Sequence, residues 1–378
     1  MTHVDGFCAA GFEPFADWMQ ANQERGFDEG ASLGVFVHDE PMVDLWGGTT
    51  DYHRSIPWQR DTLVNVFSTS KAITDITLLI AYDRGIVDID TPICQYWPEF
   101  AQNGKEAITT RHVLLYQSGL PAFGRPIGYE EFNDWDTMIG ILERAAPWYP
   151  PGSESYYHAN THGFLIGETL ARASGVPFDE FFRREVAEPL GADFHFGLGT
   201  PDDQARVARL WYPSPDQFPD RADDVVLTEI DFGDWVKPSR LAAVLPSAGG
   251  VGNGRSIARI GSIIANRGEV DGRRYLSEST VDEAGREQSY LEDRLLGMLR
   301  LGLGLAIDSE EFPAPSPTTM HWGGWGGSSL MADPASGMSV GFAPNKLLLD
   351  PDPDGSIISH ARMMGLFETV AEISRRLA

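Results

Sequence analysis

The sequence has little cysteine, little lysine and no long apolar run. Its 378 residues include 2 cysteines, Cys8 and Cys94, too few for a disulfide scaffold or a cysteine-ligated metal cluster, so a reducing cytoplasm is the expected location. No stretch of about eighteen apolar residues occurs, so insertion into a membrane is not expected. The opening residues show no basic segment followed by an apolar core, so no signal peptide is predicted.

Positive charge is also scarce. Lysine and arginine together number 29 against 55 aspartate and glutamate residues, which gives a net charge of −26, and only four of the positive residues are lysines. Nucleic acids and anionic membranes bind positive surfaces, so neither is an expected partner. What the chain does have is 42% hydrophobic residues, including 10 tryptophans and 20 phenylalanines, which is enough for a sizeable core.

The most informative stretch is residues 64–81, in which Ser68 and Lys71 precede a long apolar run. Their spacing of three places both on one face of a helix that is predicted to begin near Phe67 and to end at Gly85. The positive end of the helix dipole stabilises an oxyanion at such a serine. Apolar surroundings lower the pKa of a lysine, so that it can act as a neutral base. Taken alone, the spacing also fits a helix with a polar first turn.

The pattern of the two chain ends predicts an α+β fold, an antiparallel sheet flanked by helices. A leading helix over 9–30 is followed by a strand hairpin over 31–37 and 42–46. Further strands are predicted at 299–307, 328–332 and 338–343, and an amphipathic closing helix at 362–377.

The middle of the chain, residues 86–240, is predicted to be mainly helical with long loops. We therefore predict a discontinuous α/β domain, residues 1–85 and 241–378, with the helical domain inserted and the active site between them. Residues 200–240 are rich in Asp and Pro and are expected to wrap the surface near the substrate entrance.

Three segments resemble the motifs of the serine β-lactamase and penicillin-binding-protein superfamily: Ser68–Lys71, then 152–163 with Tyr157, then 322–328. The resemblance implies a β-lactamase-like fold with Ser68 as nucleophile and Lys71 and Tyr157 as base and proton shuttle. It also implies an oxyanion hole made by the backbone N–H groups of Ser68 and Trp325, and no metal or other cofactor.

Two departures from the β-lactamase pattern indicate which branch of the superfamily the chain resembles. Ala159 stands where β-lactamases carry asparagine, and Trp322 stands where their third motif begins with lysine. Both resemble the carboxylesterases of the superfamily, the family VIII esterases, which implies hydrolysis of short-chain acyl esters through a Ser68 acyl-enzyme. The residues then expected to contact the substrate are Trp322, Gly323, Gly324, Tyr156 and Asn160.

Some residue assignments stay open at this point. Tyr156 is the second candidate for the role of Tyr157, and an offset register would place residues 158–160 on the tyrosine motif. His321 is the alternative to Trp322 in the third motif. Three histidines without ligand spacing, His112, His158 and His162, are expected to be ordinary polar or packing residues.

The function also has alternatives. An acyltransferase would use the same residues and depend on how loops exclude water. Hydrolysis of β-lactams or D-amino-acid peptides is disfavoured by Ala159 and Trp322, and a non-catalytic binding protein is disfavoured because Ser68, Lys71 and Tyr157 are all present. A small-molecule ester is the expected partner, and the oligomeric state, a homodimer included, is left open.

Overall fold

The structure, a computed structural model, describes residues 3–212, 235–347 and 360–377. The predicted wrapping of residues 200–240 lies largely outside the described residues. The described strands are β1 (Val4–Cys8), β2 (Gly30–Val37), β3 (Glu40–Gly48), β4 (Val64–Asn65), β5 (Val251–Gly252), β6 (Glu269–Val270), β7 (Arg273–Arg274), β8 (Ser289–Asp293), β9 (Gly297–Leu301), β10 (Met320–Gly323), β11 (Ser329–Asp333) and β12 (Met338–Pro344).

The helices connect and cover these strands. Within the described ranges they are α1 (Glu13–Glu24), α2 (Thr69–Asp83), α3 (Thr110–Leu114), α4 (Tyr129–Phe132), α5 (Trp135–Arg144), α6 (Thr161–Ser174), α7 (Phe178–Phe182), α8 (Glu188–Leu190), α9 (Pro201–Gln204), α10 (Pro238–Ala242), α11 (Gly254–Ala265), α12 (Glu278–Gly285) and α13 (His360–Leu377). Short 3₁₀ turns lie at Ile93–Gln95 and Pro98–Phe100, and a π-helical turn at Arg183–Ala187 follows α7.

The main sheet has six strands in the order β1-β3-β2-β12-β11-β10. Every neighbouring pair is antiparallel, which confirms the predicted antiparallel sheet flanked by helices. The strands come from the two ends of the chain, and the helices α3 to α9 lie between them in sequence. The assignment of 86–240 as a separate domain stays a prediction.

Each face of the sheet is covered by helices. On one face, Phe15 of α1 and Leu366 and Val370 of α13 share a buried cluster with Leu33 of β2. Helix α11 packs on the other face against β2, β11 and β12. The approach is close at Gly34, where an added Cβ would lie 2.4 Å from the Cα of Arg255, so only glycine fits there.

Helix α2 lies at the centre of the molecule. Every residue from Thr69 to Ala81 is buried, because the helix packs against α6, α11 and β10. Its predicted end is confirmed, since Gly85 follows with φ +68°, the left-handed conformation that ends many helices. A helix that is apolar on nearly all sides belongs in a core, and this one carries Ser68 and Lys71 into it.

Three sequence expectations differ from the structure. The leading helix is shorter than 9–30 and spans only Glu13–Glu24. The strand expected at 299–307 ends at Leu301 and pairs with β8 in a separate hairpin, because a turn containing Gly304 with φ +80° follows it. Strand β1 was not expected, since its residues are mostly exposed at the outer edge of the sheet and show no apolar face.

Candidate active site

Ser68 occupies the N-terminus of α2, as its N-cap residue. The preceding Phe67 has φ +44°, a left-handed conformation that is rare for a bulky residue and stores strain. Packing holds it there, because its ring meets Trp235 edge-on at 5.1 Å and Trp325 at 5.4 Å between ring centroids. The nucleophile candidate therefore follows a turn that its surroundings fix.

Lys71 is fully buried one turn after Ser68. Its Nζ donates to Ser68 Oγ at 3.2 Å and to the carbonyl oxygens of Ala159 at 2.7 Å and Ser247 at 3.1 Å. Burial lowers the pKa of Lys71 to about 7, and the negative charge of Asp75 opposes that shift. The amine is therefore both held in place and close to neutrality at physiological pH.

Tyr157 supplies the second contact to the serine. Its hydroxyl donates to Ser68 Oγ at 2.8 Å, and Lys71 Nζ lies 4.8 Å from the centroid of its ring. Burial raises the pKa of Tyr157 well above its ordinary value, although the hydrogen bond to Ser68 counteracts part of the rise. The three residues expected from the motifs thus converge on one oxygen, with the phenol held neutral.

The side chains of Trp322 and His321, which are neighbours in β10, lie in different surroundings. Trp322 is buried, and its ring centroid lies 5.9 Å from that of Tyr157. The His321 ring instead packs on Phe312 at 5.9 Å and on Phe367 of α13 at 5.1 Å. Successive residues of a strand point to opposite faces, so Trp322 faces the serine and His321 faces away from it.

The turn after β10 packs against the start of α2. Gly324 donates its N–H to the Ser328 carbonyl at 2.8 Å, and an added Cβ on Gly324 would lie 2.2 Å from the Val66 carbonyl oxygen. Ser328 Oγ donates to that same carbonyl at 2.6 Å and lies 2.9 Å from Thr69 Oγ1. The segment that holds Gly323, Gly324 and Trp325 is therefore fastened to the segment that holds Ser68.

Tyr156 and Asn160 take different positions from Tyr157. The Tyr156 ring packs edge-on against Trp148 at 6.0 Å, with the Arg294 guanidinium 5.8 Å from its centroid, whereas Tyr157 carries the hydroxyl that meets Ser68. Asn160 is the N-cap of α6 and makes no side-chain capping bond. Its carbonyl oxygen accepts from Ser247 Oγ at 2.9 Å.

The offset register of the tyrosine motif does not fit the structure. His158 is fully buried, and its ring nitrogens contact Ser118 Oγ at 2.5 Å and the Tyr156 carbonyl at 2.6 Å. Burial lowers its pKa to about 3, so the ring is neutral and fully occupied in binding its neighbours together. His158 is therefore the packing residue that was expected, as is His112, which caps α3 with Thr109.

Sequence reasoning missed two kinds of contact. The acceptors for Lys71 at Ala159 and Ser247 are backbone carbonyls, which no residue type signals. His162 was expected to be an ordinary polar or packing residue, but its Nε2 lies 3.1 Å from Asp75 Oδ1 and both side chains are fully buried. An available signal was Asp75 itself, a carboxylate four residues after Lys71 in a helix that is otherwise mostly apolar.

Comparison with known proteins identifies the family to which the chain belongs. The model of the Beta-lactamase family matches residues 15–359. The chain belongs to the beta-lactamase family. A curated relative, the "Esterase/beta-lactamase LipL" of Mycobacterium tuberculosis, is 32% identical over 91% of this chain and 82% of its own length. "Esterase EstB" of Burkholderia gladioli is 29% identical over 85% of this chain and 86% of its own length.

Solved structures agree with this membership of the beta-lactamase family. A structure described as a family VIII carboxylesterase is 30% identical, superposes with a TM-score of 0.86 and covers 100% of both chains. The expected β-lactamase-like fold and the serine-hydrolase class of this family member are thereby confirmed, and the relatives support a serine esterase.

Two kinds of feature are absent from the described residues. No helix in ranges 3–212, 235–347 and 360–377 combines the length and apolar character needed to cross a bilayer. Within the same ranges, no group of three or more His, Cys, Asp or Glu side chains is gathered in a way that could hold a metal ion.

Proposed function

We propose that this protein is a serine carboxylesterase that hydrolyses short-chain acyl esters through an acyl-enzyme on Ser68. The observation that carries the proposal is the pair of contacts on one oxygen: Lys71 Nζ at 3.2 Å and the Tyr157 hydroxyl at 2.8 Å from Ser68 Oγ. A nucleophile in reach of a base, with that base oriented by further groups, is the arrangement that covalent catalysis needs.

In the acylation step, neutral Lys71 accepts the proton of Ser68 while Oγ bonds to the ester carbonyl carbon, and the carbonyl electron pair moves onto oxygen. The resulting oxyanion would be stabilised by the N–H groups of Ser68 and Trp325. When the intermediate collapses, the bond to the alcohol breaks. Tyr157 gives its proton to the leaving oxygen and is reprotonated from Lys71, which restores the neutral amine.

Deacylation follows the same path in reverse. A water molecule gives its proton to the Tyr157 and Lys71 pair as its oxygen attacks the acyl carbon. The pair then passes that proton to Ser68 Oγ as the bond between Oγ and the acyl carbon breaks, which restores the serine hydroxyl and the neutral amine. The pKa directions support this division of roles, because burial holds Lys71 near 7 and keeps Tyr157 a phenol. Lysine therefore acts as the base and tyrosine relays the proton.

The residue types around the serine support an uncharged ester as substrate. Trp322, buried beside Tyr157, offers an apolar wall where β-lactamases carry a lysine, and Ala159 contributes only a methyl group where they carry asparagine. Both polar groups that orient the amide and the carboxylate of a β-lactam in those enzymes are thus replaced. Gly323 and Gly324, with Tyr156 and Asn160, would line the rest of the site.

Hydrolysis of β-lactams is the second candidate, because the name of one relative joins esterase with beta-lactamase. The test is turnover of p-nitrophenyl acetate, butyrate and laurate and of a chromogenic cephalosporin, by the wild type and Ser68→Ala. We expect ester turnover that falls with chain length, little cephalosporin cleavage and no turnover by the variant.

Other outcomes of this assay would contradict the proposal. Fast cephalosporin turnover with poor ester cleavage would favour the second candidate, and Ser68→Ala activity within about tenfold of wild type would remove Ser68 from the mechanism. Product esters formed in the presence of an added alcohol would indicate acyl transfer. If all substrates are inert and mass spectrometry finds no acylation of Ser68, the protein is a binding protein.

A further inference from the structure

Beneath Lys71 lies a group of fully buried polar side chains that the proposed mechanism does not use. They are Asp75, His162 and Tyr116. Apart from a contact between Asp75 Oδ1 and His162 Nε2, the polar side-chain atoms of these three residues have no hydrogen-bond partner among the described residues. Buried polar groups without hydrogen-bond partners are rare in native proteins and often mark a functional constraint.

Their positions connect them to the serine. Asp75 follows Lys71 by four residues on the same face of α2. His162, near the start of α6, brings Nε2 to 3.1 Å from Asp75 Oδ1. On the other side the backbone of Gly304 closes in, since an added Cβ there would lie 2.5 Å from Asp75 Oδ2. The buried carboxylate therefore lies between Lys71, one turn earlier on α2, and the ring of His162.

The charges of these groups depend on one another. Burial raises the pKa of Asp75, and His162 and then Lys71 counteract that rise. The Asp75 charge in turn counteracts the lowering of the Lys71 pKa by burial. Coulombic effects are strong where water is excluded, so a change at His162 reaches Lys71 through Asp75. The other titratable groups that face this space are Lys71 from α2, Tyr116 after α3, Tyr157 and His158 before α6, and Asp293 of β8.

We propose that His162 and Asp75 are positioning residues that together set the pH at which Lys71 releases its proton and becomes the base for Ser68. His162 favours the ionised form of Asp75, and the Asp75 carboxylate in turn favours the protonated form of Lys71. Lys71 is then basic enough to accept the proton of Ser68 and to hold it until Tyr157 takes it up, whereas a less basic amine would accept it poorly. This inference rests on the proposed function, since it takes Lys71 to be the base.

The test measures the rate constant for labelling of Ser68 by a fluorophosphonate as a function of pH, with labelling confirmed by mass spectrometry. The variants are Asp75→Asn, His162→Leu and the double variant, with Asp83→Asn as a matched control on the same helix. Asp83 bonds Ser277 and Thr280 near the far end of α2. Thermal unfolding identifies variants that do not fold, and Asp75→Thr replaces Asp75→Asn if that variant fails.

The expected result follows from the sign of the charge. Loss of the Asp75 charge leaves the burial of Lys71 unopposed, so the acidic limb of the profile moves to lower pH by about one unit or more. His162→Leu moves it in the same direction, because Asp75 then loses a group that favours its ionised form. The double variant matches Asp75→Asn, since the two residues act as one unit.

The results that would contradict the inference differ from those that would contradict the proposed function. The inference would be overturned if the acidic limb of the pH profile for Asp75→Asn coincided with those of wild type and Asp83→Asn. Asp75 and His162 would then have only a structural role. Additive shifts in the double variant would also overturn the inference. If wild-type Ser68 is not labelled at any pH, the proposed function fails instead.

Discussion

Two lysines of this protein, Lys71 and Lys105, are both fully buried, and each donates to three acceptors. Burial lowers the pKa of Lys71 to about 7 and that of Lys105 to about 8. Their difference lies in the acceptors. Those of Lys105 are all backbone carbonyls, at Gln102, Glu143 and Ala145, whereas one of the acceptors of Lys71 is the hydroxyl of Ser68.

The acceptors of Lys105 explain its role. Glu143 and Ala145 stand at the C-terminal end of α5, where carbonyl groups have no partner within the helix. A cation placed there satisfies those carbonyls and complements the negative end of the helix dipole. Lys105 therefore fastens α5 to the preceding loop. A buried lysine with a lowered pKa is thus not yet a base; a reacting group within its reach makes it one.

The largest expected effect is a difference in esterase activity between variants of the two lysines. Lys71→Met should reduce kcat/KM for p-nitrophenyl acetate by at least about a thousandfold, because the base is lost. Lys105→Met should retain activity within about tenfold, since the acceptors of Lys105 are the carbonyls of Gln102, Glu143 and Ala145 and include no group that contacts Ser68. Parallel assays at one pH, with circular dichroism as a check of folding, measure both. A normally active Lys71→Met would contradict the assignment of the base.

A second comparison of the same kind uses two adjoining tyrosines. Tyr157→Phe should lower kcat by about a hundred- to ten-thousandfold, because the leaving oxygen loses its proton donor. Tyr116 packs edge-on against Tyr157 at 5.0 Å, but its hydroxyl bonds no described residue. Tyr116→Phe should therefore leave kcat within a few-fold of wild type. Equal losses in both variants would mean that the effect is not specific to the Tyr157 hydroxyl, and would contradict its role as the proton donor.

The smallest expected effect concerns the contribution of Lys105 to stability. Lys105→Met should lower the free energy of unfolding by about 1–3 kcal/mol, because it leaves buried carbonyls of the α5 end without a donor. Urea unfolding followed by circular dichroism measures the loss. An unchanged midpoint would show that water replaces the ammonium there, and that Lys105 is not needed to fasten α5.

The sequence allowed the chemically distinctive part of the site to be predicted. The spacing of Ser68 and Lys71, and the tyrosine of the second motif, led to three side chains that the structure brings together. The choice between Trp322 and His321 required the structure of strand β10. Neighbouring residues of a strand point to opposite faces, and only the structure shows which of the two faces the serine.

Other features left no mark that one sequence could reveal. The carbonyls of Ala159 and Ser247 depend on how two distant segments meet, not on which residues they contain. Strand β1 lies at an exposed edge, where burial imposes no apolar alternation on the sequence. Asp75 itself stands out as a carboxylate in the sequence of α2, but its partner does not, because the pairing with His162 joins residues of α2 and α6.

The pairing of β2 with β12 has a consequence for folding during synthesis of the chain. A hydrogen bond from the Gly30 N–H to Asn345 Oδ1 spans 315 residues and stands at the end of that pairing. On a ribosome almost the whole chain must therefore emerge before β12 can pair with β2 and complete the sheet. Contacts of such long sequence separation form slowly and leave strand edges exposed meanwhile. Nascent chains of this enzyme should gain the ability to be labelled at Ser68 only after their last strand has left the exit tunnel.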